Sequence, residues 1–73
     1  MFKRIETDPK ILGGKPVIKG TRISVEFILE LLSSGMSTEE VVKEYPHLSK
    51  EDILTAIHYA TNIVKHEEII SLA

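Results

Sequence analysis

From Ser24 onward the chain repeats apolar residues at the spacing of an α-helix, in three segments that each follow a serine. The serines are Ser24, Ser37 and Ser49, and apolar residues recur behind each of them at steps of three and four positions. Such steps place apolar side chains on one face of a helix. A serine before the first turn can accept a hydrogen bond from a free backbone N–H group. Glu40 and Asp52 stand three residues after the second and third serines, the spacing of a capping box.

These segments predict three helices, and the sequence indicates where each begins and ends. The first runs from the capping serine to Gly35, which is typical of a helix C-terminus. The second begins at about Thr38 and is short, because Pro46 disfavours helical geometry in the residue before it. The third begins after Ser49 and extends to about Ile70.

The second and third helices, separated by about four residues, have the spacing of a helix-turn-helix at about residues 37–64. The second helix of such a unit enters the major groove of DNA by its N-terminal end. Glu51 and Asp52 oppose this interpretation, because their charge would repel phosphate. A plain helical hairpin is the alternative. The candidate residues for reading DNA are Ser49, Lys50, Thr55 and His58.

The first 23 residues are punctuated by glycine and proline and predict short strands. The β-prone pieces are Phe2–Glu6, Pro16–Ile18 and a third around Arg22-Ile23, with Gly13-Gly14 as the expected hairpin turn. The whole chain of 73 residues has room for a single domain. It divides into an N-terminal arm, residues 1–23, and a three-helix body, residues 24–70.

Charge is divided unequally between these parts. The chain as a whole carries a net charge of −2, which by itself argues against nucleic-acid binding. Residues 1–22 hold six basic and two acidic residues, a net charge of +4, whereas residues 23–73 hold three basic and nine acidic residues, a net charge of −6. Such a division allows two faces with different partners, an anion and a basic protein surface. An ordinary mixed surface is the alternative, if folding interleaves the two parts.

Residues 13–22 have the composition of an arm that grips phosphate. The candidates are Lys15, Lys19, Thr21 and Arg22, three cations and a hydroxyl that could donate to a phosphate oxygen. A nucleotide-binding P-loop is excluded, because Pro16 follows the Gly-Lys pair where serine or threonine is required. The alternative is structural, with Gly20 in a tight turn and Arg22 paired with an acid such as Glu26.

Enzymatic and metal-binding functions find no support in the residues. Cysteine is absent, and the three histidines lack the spacing of metal ligands. No serine has the setting of a nucleophile, since all three candidates have a capping role. We therefore expect no enzyme activity, no cofactor, no metal and no small-molecule substrate. No apolar stretch has the length of a secretory signal or a membrane span, which predicts a cytoplasmic protein.

A chain this short has limited core, so self-association is an expected source of stability. The apolar end of the sequence either packs against a second copy or a larger protein, or folds back on the first helix. This end comprises Ile69, Ile70, Leu72 and Ala73.

Several strings of the sequence resemble the domain of unknown function 433 family. The resemblance covers about residues 5–67, and its most specific element is Gly14-x-Pro16-x-x-x-Gly20-Thr21-Arg22. Ser24 stands where the family often has proline, a difference that preserves the helix start. The matching strings are residues 5–9, 13–25, 37–40, 45–53 and 56–60, together with Gly35.

The resemblance implies a mostly helical, homeodomain-like fold of three helices with a short N-terminal β element. It also implies an antitoxin-like protein of the VapB type, encoded beside a PIN-domain ribonuclease-like toxin. It supplies no catalytic residue. The first hypothesis is thus a homodimeric DNA-binding antitoxin of a toxin-antitoxin pair, which regulates transcription and neutralises the toxin. The alternative is a protein-interaction adaptor of the same fold that does not bind DNA.

Overall fold

The protein is mostly helical, with three helices and a two-stranded antiparallel sheet. This computed structural model describes the backbone of residues 2–72 and the side chains of residues 2–66. The strands are β1 (Ile5–Glu6) and β2 (Val17–Ile18), and the helices are α1 (Val25–Ser33), α2 (Thr38–Glu44) and α3 (Lys50–Leu72). The expectation for the apolar end of the sequence concerns side chains outside the described residues.

Each helix begins at the serine that the sequence predicts. The hydroxyl oxygen of Ser24 accepts a hydrogen bond from the amide of Phe27 at 3.0 Å. The hydroxyl of Ser37 accepts from the amide of Glu40 at 3.1 Å, and the Glu40 carboxylate accepts from the Ser37 amide at 2.8 Å, which closes the capping box. These bonds satisfy amide groups that have no partner within the helix.

The sheet is smaller than the sequence predicts. Ile5 pairs with Ile18 and Glu6 with Val17, so each strand has two residues. The expected tight hairpin turn is wrong, since residues 7–16 separate the strands and include a 3₁₀ turn at Leu12–Gly14. The third strand piece is replaced by a single bridge between Val17 and Ser24.

A single apolar cluster joins the sheet to all three helices. Branched and small side chains fill it, because they fit where helices and sheet approach closely. Ile28 of α1 and Ile53 of α3 have no solvent exposure, and neither does Val41 of α2. The buried apolar residues are Val17, Ile18, Val25, Ile28, Val41, Leu48, Ile53 and Ala56.

The chain reverses direction tightly between β2 and α1. Gly20 adopts φ +82°, a left-handed conformation that a side chain would strain. The Thr21 amide donates to the carbonyl of Ile18 at 3.0 Å, and the Ile18 amide donates to the carbonyl of Ile23 at 2.9 Å. This turn leaves Lys19 exposed beside the N-terminal residues of the chain.

No helix among the described residues is long and apolar enough to cross a membrane.

Candidate nucleic-acid interface

The start of α3 is tied to the N-terminal arm by Asp52. One oxygen of this carboxylate, Oδ2, accepts a hydrogen bond from the Ser49 amide at 2.9 Å, and the Ser49 hydroxyl accepts from the Asp52 amide at 3.2 Å. The other oxygen, Oδ1, accepts from Nη1 of Arg4 at 3.1 Å. The Asp52 side chain is 10% exposed, whereas the Arg4 side chain is 48% exposed. The carboxylate therefore caps the helix and anchors a guanidinium that still reaches solvent.

The short sheet places Lys19 beside Arg4. The Lys19 amide donates to the Arg4 carbonyl at 2.7 Å, next to the pairing of Ile5 with Ile18. Lys3, Arg4 and Lys19 line one cleft of about 280 Å³ together with Asp52. Three basic residues thus line one cleft at the start of α3, and one of them, Arg4, pairs with the buried carboxylate.

A second cleft continues along α3 from this basic cluster. It measures about 300 Å³ and is lined by Lys3 and Arg4 on the arm and by Thr55 and His58 on the helix. Phe2 also lines it, and its ring centroid lies 5.4 Å from that of His58 in an edge-to-face arrangement. We call the surface formed by both clefts the arm–helix face; its residues are Phe2, Lys3, Arg4, Lys19, Asp52, Thr55 and His58.

Negative charge also borders the arm–helix face. Glu51 is exposed, and its Oε1 lies 4.0 Å from Nη2 of Arg4. Glu6 accepts a hydrogen bond from the amide of Gly20 at 3.2 Å. Repulsion of phosphate was expected from Glu51 and Asp52 alike, but Asp52 is buried and paired, so Glu51 is the exposed carboxylate of the two.

Of the arm residues predicted to bind phosphate, Lys19 lies on the arm–helix face and Lys15 does not. The Lys15 ammonium donates to Glu26 of α1 at 2.8 Å. This hydrogen bond and the charge of Glu26 raise the pKa of Lys15. Lys15, and not Arg22, is therefore the cation that pairs with Glu26.

Thr21 and Arg22 differ in how far their side chains are engaged. The Thr21 hydroxyl donates to the carbonyl of Ile18 at 2.8 Å and accepts from the amide of Ile23 at 3.0 Å. Its proton is used within the turn in this structure, and its donation to a phosphate oxygen stays a prediction. Arg22 is exposed and forms no ion pair with a described residue.

Ser49, Lys50, Thr55 and His58 were predicted to share the DNA-reading end of the third helix. Thr55 and His58 do lie together beside the arm. Ser49 is half-buried and serves as the cap. Lys50 lies on the α2 side of the helix start, in a shallow cleft with Lys43.

Sequence reasoning missed the part played by Phe2, Lys3 and Arg4. Lys3 and Arg4 count toward the positive charge of the arm, but no local pattern connects them with α3. Arg4 and Asp52 are separated by 48 positions. The signal that could have found them is the capping carboxylate itself, which has a second oxygen that needs a partner when buried.

A different surface, the α1–α3 groove, is apolar. It is an open groove of about 570 Å³ between the two helices, with Val25 and Leu29 on one wall and Ile63 and Val64 on the other. Ile63 and Val64 are 46% and 58% exposed. Glu26 and Glu30 of α1 also line the groove.

The described side chains contain no group of three histidine, aspartate or glutamate residues that could hold a metal ion.

The sequence pattern of a family described as "Protein of unknown function (DUF433)" matches residues 5–60. The chain belongs to the DUF433 family. A crystal structure of a DUF433 member protein from Anabaena variabilis ATCC 29413 superposes on this DUF433 chain with a TM-score of 0.76 and 30% sequence identity. The match covers 93% of this chain and 68% of that one, so the family's three-helix arrangement with its small sheet recurs in an experimental structure.

An uncharacterised protein, y4eO, of Sinorhizobium fredii (strain NBRC 101917 / NGR234) is 38% identical over 56 residues. These residues are 77% of this DUF433 chain and 25% of y4eO, so the chain spans about a quarter of the length of that relative. The matched stretch of the family, residues 5–60, includes Lys19, Asp52, Thr55 and His58 of the arm–helix face.

Proposed function

We propose that this DUF433 domain is a DNA-binding, antitoxin-like protein that binds operator DNA and neutralises a PIN-domain ribonuclease-like toxin. The observation that carries the proposal is the arm–helix face, where Lys3, Arg4 and Lys19 adjoin the start of α3. Clustered cations beside a helix start are what phosphate binding requires, and the net negative charge of the whole chain does not remove them.

In this proposal α2 and α3 form a homeodomain-like helix-turn-helix, with α3 as the recognition helix. Thr55 and His58 lie one turn apart on α3, with Thr55 partly buried and His58 exposed. Their hydroxyl and imidazole groups can bond with base edges in the major groove. Lys3 and Lys19 on the arm, and Lys50 on the opposite side of the helix start, would contact the DNA backbone. Arg22, exposed in the turn before α1, is a further candidate for phosphate contact.

The α1–α3 groove supports the protein-binding half of the proposal. It is apolar, open and bordered by Glu26 and Glu30, and it lies on α1 and the later turns of α3, whereas the arm–helix face is formed at the start of α3. Glu26 is already paired with Lys15, so an apolar groove with Glu30 at its edge suits an amphipathic segment of a toxin that carries a cation facing Glu30.

Homodimerisation is the remaining part of the proposal, and sedimentation measurements on the purified protein would test it.

DNA binding is tested by fluorescence anisotropy with a duplex from the region upstream of the protein's own gene, at several salt concentrations. Lys19→Ala is expected to weaken binding and to lower the salt slope by about 1, since one phosphate contact contributes about 0.9. Lys15→Ala makes the same charge change in the same arm but removes a side chain that faces α1, so it is the matched control. Arg22→Ala is expected to weaken binding as well. Salt-independent binding, or no binding at any salt, would contradict the proposal.

A protein-interaction adaptor is the second candidate; the exposed Glu51 beside Arg4 favours it over DNA binding, and the α1–α3 groove would serve either candidate. An adaptor would co-purify with a nuclease encoded by a neighbouring gene but would not shift the DNA duplex. Leu29→Glu should abolish co-purification, because it places charge on the apolar wall of the groove. Lys19→Ala is the control for that experiment, since its side chain lies on the arm–helix face.

A further inference from the structure

The carboxylate of Asp52 has no free oxygen. Oδ2 accepts from the Ser49 amide at 2.9 Å and Oδ1 accepts from Arg4 at 3.1 Å. The helix dipole favours a negative charge at this position, and the guanidinium balances the charge from the other side. Asp52 is therefore a poor candidate for repelling a DNA phosphate, despite its place at the start of the recognition helix.

Arg4 has hydrogen-bond donors to spare. A guanidinium carries five N–H donors in a rigid planar fork, and among the described residues Asp52 alone accepts one from Arg4. Glu51 lies 4.0 Å from Nη2, beyond hydrogen-bond distance. The Arg4 side chain is 48% exposed, so donors of the guanidinium that do not face Asp52 reach solvent, with the exposed Glu51 carboxylate as their neighbour.

The neighbours of this guanidinium suit a singly charged phosphodiester. Lys3 and Lys19 line the same cleft, so an anion bound to Arg4 would lie among three cations. Arginine is suited to phosphate because two of its parallel N–H groups match two phosphate oxygens. A flexible arginine loses rotamer freedom when it binds, but one already held at one edge loses less.

We propose that Arg4 binds a backbone phosphate of DNA and that Asp52 is the positioning residue that holds its guanidinium for this contact. The inference rests on the proposed DNA-binding function and adds a role to a buried acid. The expected change in DNA affinity is opposite to the one that charge repulsion alone would give. Removing a carboxylate from a DNA-binding face ordinarily strengthens binding, whereas loss of the Asp52 charge is expected to weaken it.

The test compares Asp52→Asn with Glu51→Gln in the anisotropy assay on the upstream duplex. Asparagine keeps an oxygen for the Ser49 amide but loses the charge that holds Arg4, so affinity should fall by about two- to tenfold, the equivalent of ordering one long side chain again. Glu51→Gln removes the neighbouring carboxylate, whose side chain is 75% exposed, and should bind as tightly as the wild type or more tightly. Circular dichroism checks that both variants fold.

Variants of Arg4 show whether Asp52 affects DNA binding by holding the Arg4 guanidinium or only by stabilising the fold. Arg4→Ala should lower the salt slope by about 1. In that background Asp52→Asn should no longer weaken binding, because there is no guanidinium left to hold. Arg4→Lys keeps the charge but not the fork, so it should retain the salt slope and lose affinity. It also provides a test if Asp52→Asn does not fold.

The outcomes distinguish this inference from the function on which it rests. If the wild type shows no salt-dependent DNA binding, both are wrong. If the wild type binds and Asp52→Asn binds equally or more tightly, DNA binding stands and the positioning role of Asp52 is overturned. If Arg4→Lys binds like the wild type, DNA binding stands and the two-point contact of the Arg4 guanidinium with phosphate is overturned.

Discussion

The capping boxes of α2 and α3 have the same pattern but different environments. In both, a serine hydroxyl accepts from the amide three residues on, and the acid at that position accepts from the serine amide. Glu40 is exposed and its box is closed within four residues. Asp52 is buried and uses its second oxygen to hold Arg4. The difference shows how a local helix signal becomes part of a long-range site when the capping acid is buried.

Removing each capping acid in turn should show the largest difference between the two boxes. Asp52→Ala leaves the Ser49 amide and Arg4 without their partner and should lower the free energy of unfolding by about 2–3 kcal/mol. Glu40→Ala should cost clearly less, because water can solvate the groups that it frees. Urea denaturation of the two variants in one buffer measures the difference. Equal losses would mean that burial of the α3 box has no energetic consequence.

The link between Arg4 and Asp52 can be measured by a double-mutant cycle. We expect the effects of Arg4→Ala and Asp52→Asn on unfolding free energy to be coupled by about 1 kcal/mol, the contribution of a half-exposed, charge-assisted hydrogen bond. Glu40 shares no hydrogen bond with Arg4, so a cycle of Arg4→Ala with Glu40→Gln should be additive. Coupling of the same size in both cycles would contradict the assignment of the Arg4 contact to Asp52 alone.

The α2 box should weaken in acid. Hydrogen bonds from Ser37, the backbone one first, lower the pKa of Glu40. A carboxylate whose pKa is lower in the folded state stabilises the protein above its unfolded pKa, and that contribution is lost as the pH falls through the folded value. The stability difference between the wild type and Glu40→Gln, followed by urea denaturation from neutral to acidic pH, should shrink toward acid. A difference that grows toward acid would contradict the assigned cause.

The smallest effect is expected at the ion pair of Lys15 with Glu26, which is exposed on both sides. Such pairs are screened by solvent and contribute little to stability. Lys15→Ala should leave the free energy of unfolding unchanged within experimental error, at low and high salt alike. If Lys15→Ala lowered the free energy of unfolding as much as Arg4→Ala does, the exposed pair would contribute as much as the partly buried pair of Arg4 with Asp52, contrary to this expectation.

The helices could be predicted from sequence because their signals are local. Ser24 and Ser37 bond within four residues of themselves, and the helix that follows each begins where the pattern indicates. The sheet was predicted less well, because its strands are joined by residues 7–16 and not by a tight turn at the paired glycines. A glycine pair permits a turn but does not specify which residues pair across it.

The arm–helix face could be predicted only in part. Thr55 and His58 share it because they lie on one side of one helix, a periodic feature. Arg4 reaches Asp52 through the strand pairing, and Lys15 turns to Glu26, although both side chains belong to the same basic arm. Composition therefore identified the cations, whereas only the fold shows which of them adjoin α3.

Binding of DNA by the arm–helix face can be measured directly by backbone amide shifts in an NMR titration with the upstream DNA duplex. The largest shifts should fall on the arm–helix face, at Lys3, Arg4, Lys19, Thr55 and His58, and they should diminish as salt is added. The walls of the α1–α3 groove should change little. Shifts concentrated at the groove residues Leu29, Ala60 and Ile63, or no shifts at low salt, would contradict DNA binding by this face.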